Sequence, residues 1–135
     1  MATIVTRIDK GSALTFQEGD DNFVNLNTDK LEKDGGTLTG YRENIHDLGS
    51  TDTPSIDPLN GNVQTITISS GLALPTFNGE QPGQSVTLLV TGSGTATGAT
   101  GYLFAGGNTD LTTNSVVSIV YDGTNYWTSI ATDFQ

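Results

Sequence analysis

The chain contains no cysteine, one histidine, one tryptophan and no lysine or arginine beyond position 42. Without cysteine it has no disulfides, no thiol nucleophile and no thiolate metal site. Basic residues are scarce throughout: five stand against fifteen acidic ones, for a formal net charge of −10. So acidic a chain is repelled by phosphate backbones and anionic lipid, so neither nucleic acid nor membrane is an expected partner. No apolar run approaches the roughly 18 residues that cross a bilayer, and the N-terminus lacks the apolar region of a signal peptide. A soluble protein made in a cytoplasm is expected.

The means for catalysis are equally thin. His46 is the single histidine, and a triad would need it beside an activated serine with an acid orienting it. No G-x-S-x-G elbow occurs. The glycine-rich "GSGTATGATG" (Gly92 to Gly101) lacks the lysine and following helix of a phosphate-binding loop. It reads as a mobile loop between strands. Glu18, Asp20 and Asp21, and separately Asp52 and Asp57, are oxygen donors of the kind calcium uses, but neither group has the twelve-residue calcium loop. A solvated helix face with capping is expected instead, with no metal and no cofactor. The chain reads as a non-enzyme.

What is present begins with one helix. In "LTFQEGDDNFVNLNTDKLEKDGG" (Leu14 to Gly36), Thr15 can cap the first turn and Glu18, three residues on, can complete a capping box. Phe16, Phe23, Leu26 and Leu31 recur near one helical face. Gly35-Gly36 is the expected stop, since glycine takes positive φ without steric cost. No second helix is apparent.

Composition then changes. The remainder is rich in Gly, Thr, Ser, Asn, Val and Ile, which suit turns and strands. "NVQTITISS" alternates with Ile66 and Ile68 on one face. "QSVTLLVTG" does so with Val86, Leu88 and Val90, leaving Leu89 on the other. "NSVVSIVYDGTNYWTSIA" reads as two strands around an Asp122-Gly123 hairpin turn. Short strands with turn signals every ten residues or so imply an all-β fold, an antiparallel β-sandwich or jelly-roll-like knob. The expected organisation is an N-terminal arm with one short helix (1–40) and a β-sandwich domain (41–135).

Three stretches carry a resemblance. "KGSALTFQEGDDNFVNLNTDK" (Lys10 to Lys30) resembles the N-terminal K-G-S-x-L-T-x-x-E-x-D-x-N-F-x-x-L-N pattern of tailed-bacteriophage fibre and appendage proteins. Lys10, Gly11, Ser12, Leu14, Thr15, Glu18, Asn22, Phe23, Leu26 and Asn27 fit it. "KDGGTLTG" (Lys33 to Gly40) is similar to the G-G-T-M-T-G connector of the same proteins, with Leu38 in the methionine place. The remainder, closing on "DGTNYW", resembles a β module found in them. The resemblance implies a virion component of a tailed phage, assembled in the host cytoplasm and trimeric as such fibres and decorations mostly are. With almost no shaft between arm and knob, a capsid decoration or cement protein or a short appendage is expected. A host-receptor (carbohydrate) binding module of a tail fibre is the alternative.

Partner contacts follow from the same residues. Only 34% of the chain is apolar, and so thin a core favours burial against neighbours. Leu14, Phe16, Phe23 and Leu26 are the expected docking face of the arm, and Leu89 a contact of the knob. A homotrimer bound to other virion proteins is expected. Tyr126 and Trp127 are adjacent on a strand and so face opposite ways. Burial of Trp127 is expected, with sugar stacking on an exposed aromatic as the alternative.

Overall fold

The computed structural model describes residues 4–29, 40 and 42–135, with the side chains of 25–29 outside that description. The chain divides into two units, Met1–Tyr41 and Arg42–Gln135.

The first unit holds two described helices, α1 (Arg7–Lys10) and α2 (Phe16–Asp29). The single-turn α1 has too little sequence to show periodicity, and caps define it instead. The Thr6 hydroxyl accepts from the Asp9 N–H, and Gly11 closes the turn at φ 70°. Helix α2 starts where the sequence predicts. The Thr15 hydroxyl accepts from the Glu18 N–H at 3.2 Å, and Glu18 Oε2 accepts from the Thr15 N–H at 2.7 Å. That is the reciprocal capping box. The stop predicted at Gly35-Gly36 lies outside the described residues.

The second unit is β-rich. Its strands are β1 (Ile45–Ser50), β2 (Val63–Thr67), β3 (Gly71–Leu74), β4 (Ser85–Thr91), β5 (Gly94–Gly98), β6 (Tyr102–Phe104), β7 (Asp110–Leu111), β8 (Asn114–Tyr121) and β9 (Tyr126–Ala131). A six-stranded sheet runs β1-β2-β4-β8-β9-β6, and a three-stranded sheet runs β3-β5-β7. Buried side chains of both sheets form one apolar cluster.

The antiparallel arrangement expected from sequence is corrected: both sheets are mixed. β1 with β2, β2 with β4, β3 with β5 and β6 with β9 are parallel pairs. The cause is the route of the chain. After β2 it turns a corner into β3 of the smaller sheet, returns, and lays β4 beside β2 and β5 beside β3. Partners are 24 residues apart in both sheets, Val63 facing Thr87 and Gly71 facing Thr95. The chain therefore makes two stacked coils before β8 and β9 close the large sheet antiparallel. The segment expected to be a mobile loop, Gly92 to Gly101, carries β5 of the second coil.

Corners need specific chemistry. Asp52 accepts from the Ser69 N–H at 2.7 Å and from the Ser69 and Ser70 hydroxyls, tying down the bend between β2 and β3. These bonds, the backbone one foremost, hold the Asp52 carboxyl below its usual range. The ladder continues around the bend through Ile68 N–H to Thr91 O at 2.8 Å.

Inside, the predicted alternation is observed: Ile66, Ile68, Val86, Leu88 and Val90 are buried. Gln64 shares their side and is fully enclosed, its Nε2 donating to the carbonyls of Asp57 and Gly61. These two bonds offset the cost of burying the amide nitrogen, while Gln64 Oε1 is enclosed without a hydrogen-bond partner.

Candidate functional site

In the arm, the side chains of Lys10, Thr15, Gln17, Glu18, Asp21 and Asn22 are engaged within the arm itself. Lys10 forms an ion pair with Glu18. Hydrogen bonding to Lys10, then to the Thr15 N–H, pushes the Glu18 carboxyl down to about 2. The Asn22 side chain clasps the backbone of Val5, accepting from its N–H at 2.9 Å and donating to its carbonyl at 2.8 Å. Gln17 Nε2 donates to Asp21 Oδ1 at 2.8 Å, an i,i+4 pair on the surface of α2.

The apolar side chains are left outside. Phe16 is 96% exposed and Phe23 74%, and seven residues apart they share one side of α2. Leu14 is half-buried just ahead of the helix. Leu26 belongs to α2, and its side chain lies outside the described residues. Two bare phenylalanines lie on a helix whose Gln17, Glu18, Asp21 and Asn22 side chains are bonded within the arm, which leaves an exposed apolar surface.

The second candidate lies on the outward face of the six-stranded sheet. Outward positions of β4, β8 and β9 are Ser85, Thr87, Leu89 and Thr91, then Asn114, Val116, Ser118 and Val120, then Trp127, Ser129 and Ala131. None carries a charge. Leu89 is 38% exposed and faces Val116 in register.

The burial expected for Trp127 is corrected: its side is outward and it is 55% exposed. Its neighbour Tyr126 takes the core instead, 2% exposed, stacked on Tyr102 with centroids 4.5 Å apart and edge-on to Phe77. The Tyr126 hydroxyl donates to Glu80 and accepts from the Phe77 N–H. Burial, then the bond to Glu80, pushes the phenol up to about 12. The register of the hairpin explains the choice. Tyr121 faces Tyr126 across it, and Tyr121 continues the inward series of Val117 and Ile119.

Trp127 lies in register with Leu103 on one side and Val120 on the other. Its indole N–H donates to Asp122 Oδ2 at 2.6 Å, which fixes the ring. Asp122 also accepts from the Asn125 and Thr124 N–H groups, as the hairpin turn requires, and Gly123 beside it has φ 101°. Those bonds, the Asn125 one foremost, hold the Asp122 carboxyl below its usual range. Leu103, Phe104, Ala105, Ser118, Val120, Trp127, Thr128 and Ser129 together line an open hollow of about 320 Å³.

Other candidate residues are not brought together. His46 is half-buried on the edge strand β1, opposite Gln64. Asp57 caps the turn at Pro58–Asn60, well apart in role from Asp52 at its corner. Among the described residues, no three of His, Cys, Asp and Glu gather as a metal site, and no helix is long and apolar enough to cross a membrane. Compared with known proteins, the chain matches no family model, no curated protein and no solved structure.

Proposed function

We propose that this chain is a non-enzymatic virion structural protein of a tailed phage. In this reading it is a small trimeric capsid decoration or cement protein, or a short fibre-like appendage, anchored by its N-terminal segment. The observation that carries the reading is the arm: Phe16 and Phe23 stand in solvent while Lys10, Thr15, Glu18 and Asn22 are engaged with the arm's own groups. The motif residues of the phage-like stretch thus divide into a scaffold and a docking face. The second unit, a sandwich-like knob, projects from the particle or clamps neighbouring subunits.

The decisive experiment locates the protein on particles. Purified virions and tailless heads are probed with an antibody to the knob and imaged by electron microscopy. Labelling of heads in both preparations supports decoration, and labelling confined to tails supports the appendage form. Absence of label from all particles defeats the proposal.

A second reading, a host-receptor module that binds carbohydrate, is favoured by the outward position of Trp127. It is compatible with the same anchoring arm, and labelled protein binding to host cells is its direct test.

A further inference from the structure

We infer that the hollow beside Trp127 binds a neutral saccharide, the hexose C–H face lying on the indole ring and its hydroxyls meeting Ser118 and Ser129. The inference rests on the receptor-binding reading above and names the chemistry of its ligand.

Four observations point to that ligand. The indole is exposed and held in one orientation by its bond to Asp122, so a flat platform exists before any ligand arrives. Leu103 and Val120 flank it in register and extend the apolar surface. Ser118 and Ser129 pair with each other across β8 and β9, putting two hydroxyls beside the platform. The hollow, about 320 Å³, falls at the lower end of the roughly 300–1,000 Å³ range of small-ligand sites. The lining is chiefly apolar, as a stacking platform is, and the Ser118 and Ser129 hydroxyls supply the polar contacts that a sugar lying on it would use.

Charge narrows the class further. The unit Arg42–Gln135 carries eight acidic residues and a single basic one, Arg42. Anionic sugars meet a repulsive field and find no arginine or lysine among the lining residues. A cationic ligand would want several aromatic faces around it, and here Phe104 is stacked on Tyr102 at 6.1 Å. The carboxylate nearest the ring, Asp122, is occupied by the indole and two backbone N–H groups. The neutral sugar remains.

Trp127 is the chain's single tryptophan, so its emission reports the hollow directly. The full chain is titrated with maltotriose, chitotriose and β-galactobiose at millimolar concentrations, with sialyllactose as the anionic probe. A saturable blue shift with at least one neutral sugar, none with sialyllactose, and loss of the shift in Ser129→Phe support the inference. Ser129 is exposed, so that substitution fills the hollow while sparing the core. No shift with any neutral member overturns it, as does a shift that Ser129→Phe leaves unchanged. An emission that moves to the blue with protein concentration alone also overturns it, since a second copy then occupies the hollow. The receptor reading fails separately, if labelled full chain binds no host cells. If cells bind wild type and Ser129→Phe equally, the reading stands and the site assigned here falls.

Discussion

Gly92 lies directly over Ile68 at the corner of the two stacked coils: a Cβ on Gly92 would stand 2.3 Å from the Ile68 carbonyl oxygen. Gly92 also has φ 117°, a conformation that side chains penalise. One coil can rest on the other here only because no side chain intervenes. Both restraints are imposed by backbone, which cannot swing aside as a flexible side chain can.

Gly92→Ala is therefore expected to destabilise the second unit by about 2–4 kcal/mol, the strain at positive φ adding to a forced shift of the corner. Gly83→Ala is the control, since it also has positive φ but nothing within 4 Å of a built Cβ. It should cost only about 1–2 kcal/mol. Chemical denaturation of the two variants separates the effects, and equal losses would show that the corner contact is irrelevant.

The adjacent aromatics of β9 should behave oppositely. Tyr126→Ala removes a ring packed against Phe77, Tyr102 and Tyr121, and a loss of about 3–5 kcal/mol is expected. Tyr126→Phe keeps the ring but strands the Phe77 N–H, at about 1–3 kcal/mol. Trp127→Ala removes a largely exposed ring and should change stability by less than about 1 kcal/mol. Thermal melts rank the three, and a Trp127→Ala midpoint as low as that of Tyr126→Ala would contradict the outward assignment.

The fate of these two residues shows what the sequence holds and what it withholds. Local devices were legible: the Thr15–Glu18 box, the alternation of Val86, Leu88 and Val90, and the Asp122-Gly123 turn each involve residues a few positions apart. Alternation also put Tyr126 and Trp127 on opposite faces, but not which was inward. Carrying the parity of Val117, Ile119 and Tyr121 across the hairpin would have placed Tyr126 inside. Strand direction was not legible, because an alternating strand looks alike to a parallel or an antiparallel neighbour. The only trace of the coils is faint: Ile66, Thr67 and Ser69 recur as Val90, Thr91 and Ser93, 24 positions on. Of the residues proposed to dock, periodicity could place Phe16 and Phe23 on one side of α2, and only the fold could show them uncovered.

Acid should loosen the arm through Glu18. Its carboxyl titrates at about 4.5 when unfolded and is lowered to about 2 by Lys10 and the Thr15 N–H. A depressed value means the charged form is the one the fold favours. The stabilisation is complete above pH 4.5 and is lost as pH falls from there through about 2. Following the Thr15 amide by NMR should give a midpoint near the lower value. In Lys10→Ala that midpoint should rise, because the largest cause of the depression is gone. A wild-type midpoint at the ordinary glutamate value would remove the capping box from the solution structure.

Phe23→Asp tests whether the exposed face of α2 is the anchor. Phe23 is already in solvent, so replacing it leaves the described fold intact, and circular dichroism and melting of the variant should match wild type. If that face is buried when the protein joins a particle, the aspartate is carried into an apolar contact without a partner. The penalty is then several kcal/mol per copy, enough to lower occupancy by two orders of magnitude or more. Gln17→Ala, which touches the same helix but only breaks a surface pair with Asp21, should leave occupancy unchanged. Copy number on purified virions, read by quantitative gel or mass spectrometry, compares the three proteins. A folded Phe23→Asp protein present at the wild-type copy number would mean that the arm docks through some other surface, and the scaffold of Lys10, Glu18 and Asn22 would need a different purpose.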